Sequence, residues 1–307
     1  MPGGGRSVES LVCIMATEVA GSGQSVIVSH ESGEEALART ATLAYLARTG
    51  NLDIAIRNRL ASPRRLMRRP APQLGNWSVR RLNALHSALP KMTDYLEIGL
   101  AAGATFEHIT LPNRVGVDPY PKFNTQVLPR NTTVAVTTSD DFFSSNDATF
   151  DLVFLDGLHT YVQTYRDLMN AIQVCPTGAI LIDDVVPLDD VSAMSDQEES
   201  LMERRRRGLP GGAWHGDIYR LAFCVEEHHQ ELAVRTITDR GNPQMLLWKP
   251  DPDVPTRAVD DLTLDSYSSI AYSDAFSQGI PDLFGPVEES EALSDAARAL
   301  TSRYGTS

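Results

Sequence analysis

The sequence predicts an α/β fold with a mostly parallel seven-stranded sheet closed by an antiparallel hairpin, and three observations predict it. From about residue 94, short apolar runs alternate with helical stretches, the pattern of βαβ units. The first run ends in a turn of small residues, Gly99 to Gly103, that leads toward a helical segment. The last two runs are separated by Asp239-Arg240-Gly241-Asn242-Pro243, whose turn residues read as a hairpin.

The five parallel strands are expected at Tyr95 to Ile98, Arg114 to Val117, Thr133 to Thr137, Leu152 to Leu155 and Ala179 to Ile182. Helices between them fall at Thr105 to Ile109 and Val162 to Val174. Another runs from about Asp217 to His229, with Asp217 as its N-cap. The hairpin strands are Leu232 to Thr238 and Gln244 to Lys249.

Two flanks surround this domain of residues 94–250. Residues 1–33 are rich in Gly and Ser and read as a flexible arm. Residues 34–93 form a helical extension in which Arg57 to Arg81 contains eight arginines and no acid, a solvated helix face or a site for an anionic partner. Residues 251–307 hold eleven acidic and three basic side chains and read as an extended acidic tail with at most short helices. That tail is expected to neutralise the arginine run, within or between subunits.

The 307 residues include 27 Lys and Arg against 40 Asp and Glu, a net charge of −13, which repels phosphate backbones and argues against nucleic acid as the main partner. Three scattered cysteines form neither a disulfide framework nor a zinc spacing. No apolar run reaches the roughly 20 residues a bilayer requires. A soluble, cytoplasmic protein without a membrane partner, and a homo-oligomer, is expected.

The turn Glu97-Ile98-Gly99-Leu100-Ala101-Ala102-Gly103-Ala104-Thr105 allows the backbone to approach a ligand closely, and Asp118, closing the second strand, stands where a carboxylate can accept ribose hydroxyls. It is not the Gly-x-Gly-x-x-Gly of dinucleotide enzymes. With these residues the chain resembles the class I S-adenosylmethionine-dependent methyltransferases, whose fold is Rossmann-like. In that family the Glu/Asp-x-Gly-x-x-x-Gly turn holds the methionine end of the cofactor and the acid after the second strand holds its ribose. The matching residues are Glu97, Gly99, Gly103 and Asp118, with Ala101, Thr105 and Asp156 completing the set. Ser139 and Asp140, after the third strand, resemble the segment that contacts adenine in catechol-type members; a capping role for the helix starting near Phe142 is compatible with that contact.

The fourth strand ends in Asp156-Gly157-Leu158-His159 and the fifth in Asp183-Asp184. Neighbouring parallel strands bring these acids together, and three close carboxylates raise one another's pKa unless a cation joins them. Hard oxygen donors favour Mg²⁺. The spacing is similar to that of cation-dependent O-methyltransferases, with His159 in place of a Lys base and Asp184 in place of an Asn, and is closer to macrocin-type bacterial tailoring enzymes. The resemblance implies Asp156, Asp183 and Asp184 on Mg²⁺, Asp156 and His159 as catalytic residues with His159 as the base, and a small hydroxylated acceptor of sugar or polyketide type. Trp214 and His215, in a glycine-containing loop, are expected to wall the acceptor pocket. Two alternatives stay open, a tailoring enzyme of the same fold with hydroxylase-like chemistry and a non-catalytic binding protein.

Overall fold

A computed structural model describes residues 76–305. The expected arm of residues 1–33, the helices of residues 34–60 and the arginine run as far as residue 75 lie outside the described residues.

The elements follow in the order α1 (Trp77–Ala88), β1 (Asp94–Ile98), β2 (Asn113–Val117), β3 (Thr132–Ala135), α2 (Ser139–Ser145), β4 (Leu152–Leu155), α3 (Tyr161–Val174), β5 (Ala179–Ile182), α4 (Gln197–Arg207), α5 (Arg220–His228), β6 (Ala233–Ile237), β7 (Gln244–Trp248), α6 (Asp261–Ser266), α7 (Tyr272–Ala275), β8 (Pro286–Val287) and α8 (Glu289–Tyr304). The strand order is β3-β2-β1-β4-β5-β7-β6-β8. β1 to β5 pair in parallel, β7 runs antiparallel between β5 and β6, and β8 adds a parallel strand of two residues to β6. After β1 the chain winds outward through β2 and β3, then returns to β4 on the other side. The β1–β4 junction is therefore the switch point at which open α/β sheets bind ligands.

Both faces of the sheet are covered, which is why β4, β5 and β7 are buried along their whole length. On one face Leu96, Ile98, Val153 and Ile182 meet Tyr165, Leu168 and Ile172 of α3 and Leu221 and Val225 of α5. On the other, Tyr95, Phe154, Leu181 and Leu246 meet Leu82 and Leu85 of α1 and Ala292, Ala296 and Leu300 of α8. Alternate residues of each strand serve opposite faces, as the pleat requires.

Four expectations are corrected. The C-terminal segment is no extended tail, because α8 buries Glu289, Ala292, Ala296, Leu300 and Tyr304 at spacings of three and four. Its apolar stripe is largely alanine, so the acidic outer face dominated its composition. The helix expected at Thr105 to Ile109 is a single tight turn, Phe106–His108. The helix near Asp217 begins at Arg220; Asp217 instead accepts from the backbone N–H of Tyr161 at 2.7 Å, so it serves α3, 56 residues upstream. α2 starts at Ser139 and is capped by Thr138, which accepts from the Asp141 N–H.

Among the described residues, charge pairing between the two flanks centres on Glu289. Arg81 is fully buried and donates to Glu289 at 3.1 Å, to Gln244 at 2.6 Å and to the carbonyls of Asn242 and Arg240 at 2.7 and 2.5 Å. Arg80 pairs with the same Glu289 at 2.7 Å. A buried guanidinium is tolerable only with its donors satisfied in this way.

Candidate active site

The turn after β1 is built on positive φ angles at Gly99 (87°), Ala101 (43°) and Gly103 (74°). Gly99 is required by packing as well, since a Cβ there would lie 1.9 Å from the Asp156 carbonyl oxygen. The tips of β1 and β4 thus touch at the switch point. Asp118 accepts from the Leu100 and Ala101 N–H groups through one oxygen at 2.9 and 2.8 Å, and from Tyr120 through the other at 2.6 Å. It shapes the turn directly, so any ribose contact shares an already engaged carboxylate.

Two residues expected at the cofactor are buried beside the turn. Glu97 is 1% exposed and lies beneath the turn, accepting from the Tyr95 hydroxyl at 2.6 Å; burial holds its carboxyl well above the usual range. Thr105 is buried, and its hydroxyl accepts from Asn76 at the start of α1. Ser139 and Asp140 stand at the head of α2 beyond β3, both accepting from Gln163 of α3, at 3.1 and 3.2 Å. Gly99, Ala101, Gly103, Asp118, Ser139 and Asp140 therefore line successive strand ends, β1 to β3, along one rim. Exposed small residues at the turn, a carboxylate beside it and polar groups further along fit a nucleoside-bearing sulfonium cofactor.

At the ends of β4 and β5 the expected cluster is assembled. His159, itself at φ 56°, bonds Asp156 at 3.0 Å and lies 3.7 Å from Asp184. Asp184, at φ 53°, lies 3.8 Å from His215. Two non-glycine positions held at positive φ, close to one another, mark a locally strained site. Trp214 stacks over His159 with ring centroids 5.4 Å apart and anchors its indole N–H on the Met194 carbonyl. The loop that carries it is pressed close, because a Cβ at Gly216 would lie 1.7 Å from the His159 carbonyl oxygen.

The two imidazoles are driven apart. Burial alone lowers the pKa of His159, but the Asp156 hydrogen bond and the charges of Asp184 and Asp183 outweigh it and lift the value to about 9. Burial dominates at His215 and lowers it. Near neutrality His159 is cationic and His215 neutral. The Nδ1 atoms of both are buried without a hydrogen-bond partner.

The expected metal assignment of Asp156, Asp183 and Asp184 finds no support among the described residues. Asp183 accepts through a single oxygen from Gln244 at 2.8 Å, from the Asp184 N–H at 3.0 Å and from the side chain of Asn242. Asp156 is bound to His159. Among the described residues no three acidic, histidine or cysteine side chains are arranged to hold a metal ion. His159 and the donated N–H groups of Gln244, Asn242 and Asp184 face these carboxylates. Asn242 and Gln244 were missed in the sequence; their signal was only a position in and after the hairpin turn.

Strand order, with β7 reversed between β5 and β6, is that of the class I methyltransferases, and the site occupies that fold's switch point. A family model described as a methyltransferase domain matches residues 96–185. Among solved structures it is similar to an O-methyltransferase from Bacillus cereus in complex with SAH, at 14% identity over 77% of this chain and 97% of that one with a TM-score of 0.38. It is also similar to the SAH-bound methyltransferase PaMTH1 from Podospora anserina, at 14% identity over 74% of this chain and 100% of that one with a TM-score of 0.42. No curated protein matches the chain. Among the described residues no helix is long and apolar enough to cross a membrane.

Proposed function

We propose that the chain is a cytoplasmic S-adenosylmethionine-dependent O-methyltransferase that methylates a hydroxyl of a small natural-product-type molecule. The observation that carries this reading is the contact of Gly99 with the Asp156 backbone, which sets the cofactor turn directly against the His159, Asp156 and Asp184 group. When bound, the cofactor supplies an electrophilic methyl group. Gly99, Ala101, Gly103, Asp118, Ser139 and Asp140 hold it at the rim.

A hydroxyl is a poor nucleophile until its proton is removed, and a side chain at hydrogen-bond distance accelerates such a step by about 10² to 10⁴. His159 is the proposed base. Because Asp156 keeps it protonated near neutrality, it can take the acceptor's hydroxyl proton only in the fraction of enzyme molecules whose His159 ring is already deprotonated, so activity rises with pH toward about 9. Asp156 orients the ring and stabilises the imidazolium that forms. His215 favours a second reading of the proton's destination, because it is neutral near pH 7 and lies on the other side of Asp184.

Calorimetric titration with S-adenosylmethionine and with its demethylated product tests the cofactor claim, and binding of neither would overturn it. Methyl transfer without oxygen consumption separates this chemistry from hydroxylation.

A further inference from the structure

A cleft of about 510 Å³ opens beside the carboxylate cluster, within the range of about 300 to 1,000 Å³ typical of small-molecule sites. It lies between the loop after β5, the β6–β7 hairpin turn and residues 272–280. His215 and Asn242 belong both to its lining and to the cluster, so the cleft and the candidate chemistry are continuous. We propose that this cleft is the acceptor site and that it selects an uncharged molecule with an apolar, ring-containing body and a hydroxyl. The proposal rests on the methyltransferase reading for its chemistry, not for its ligand class.

Three observations support the choice. No charged side chain is among those lining the cleft, Asp183 and Asp184 stand behind it, and the His159 imidazolium is already engaged by Asp156 and Asp184, so an anionic acceptor meets two acids and no uncommitted counter-charge. One wall is aromatic, with Tyr272 and Phe276 packed at 5.0 Å between ring centroids. At the lips, Leu188 is 68% and Ile280 37% exposed, apolar surface that the described fold does not cover.

The polar anchors are few and definite. His215 has a nine-tenths buried side chain whose Nδ1 lacks a partner. Asn242 donates its amide N–H groups to Asp183 and Asp184, which leaves its side-chain Oδ1 for another donor. Two such groups can orient one hydroxyl; they cannot satisfy the many hydroxyls of a bare sugar, each of which costs free energy if desolvated unpaired. The acceptor class is thereby narrowed from sugar or polyketide to the polyketide or aryl kind.

Calorimetry on the full chain tests this with naphthol, naphthyl phosphate and methyl glucoside as probes, each in the presence of the demethylated cofactor. Naphthol is expected to bind saturably, and naphthyl phosphate and methyl glucoside at least about tenfold more weakly. The lip variants Leu188→Asp and Ile280→Asp are each expected to weaken naphthol about tenfold and to leave cofactor affinity unchanged. Equal or tighter binding of the phosphate or the glucoside, or naphthol binding indifferent to both variants, overturns the assignment. Variant-sensitive naphthol binding in a protein that takes no cofactor removes the methyltransferase reading and leaves the cleft assigned.

Discussion

At the cofactor end of the rim the turn after β1 is held by neighbours in sequence: Asp118 reaches back only 18 and 17 residues to Leu100 and Ala101. At the carboxylate end Asp183 is held by Gln244 and Asn242, 61 and 59 residues away, and these in turn by Arg81 at separations of 163 and 161. One half of the site is local and the other is assembled from distant parts of the chain. Local contacts form whenever the βαβ unit folds, whereas distant ones require the flanks to dock. Damage to the flanks should therefore reach the carboxylate end and spare the cofactor end.

The largest test strikes the point where the two halves meet. Gly99→Val places a side chain at a positive φ and against the Asp156 carbonyl, and is expected to abolish both cofactor binding and activity, with a loss of stability seen in urea unfolding. Arg81→Met removes one of the two arginine partners of buried Glu289 and the donors to Gln244, Asn242 and Arg240, and is expected to cost about 3 to 5 kcal/mol. At a temperature where this variant remains folded, it should lower turnover more than cofactor affinity; equal losses in the two would break the comparison.

His159→Gln comes next, with turnover expected to fall about 10² to 10⁴-fold while cofactor affinity holds. In the parent protein the rate should climb through about pH 9, and the variant should lack that limb. The same raised pKa bears on stability. A histidine above its unfolded value of 6.5 contributes fully below that pH, and the contribution is lost as pH rises through about 9. Urea midpoints measured across that window should fall in the parent and stay flatter in the variant.

Asp118→Asn is expected to weaken the cofactor about tenfold and to leave the carboxylate cluster untouched, since only charge-assisted bonds to the turn are lost. Smallest of all is the effect of a chelator, where no change in activity is expected. Loss under chelation with recovery on added Mg²⁺ would return Asp156, Asp183 and Asp184 to the role of metal ligands.

Legibility in the sequence follows the same division. Strand ends Gly99, Asp118, Asp156 and Asp183 are readable because short apolar runs terminate there and the turn chemistry is local. Glu97 was placed on the rim by its motif, yet the pleat puts it beside Tyr95 on the covered face. Asn242 and Gln244 carried no motif, because their role depends on β7 lying antiparallel to β5. α8 was hidden for a compositional reason: its buried stripe is made of Ala292, Ala296 and Leu300 within a run rich in Ser, Asp and Glu.

The Arg81 to Glu289 pair spans 208 residues. During synthesis at about 5 to 20 residues per second, α1 waits roughly ten to forty seconds before α8 exists to receive it. Over that interval the guanidinium and the apolar faces of Leu82 and Leu85 have no α8 to pack against, while the turn that holds the cofactor can already close. A nascent chain of this protein should therefore acquire affinity for its cofactor before it acquires the ability to use it.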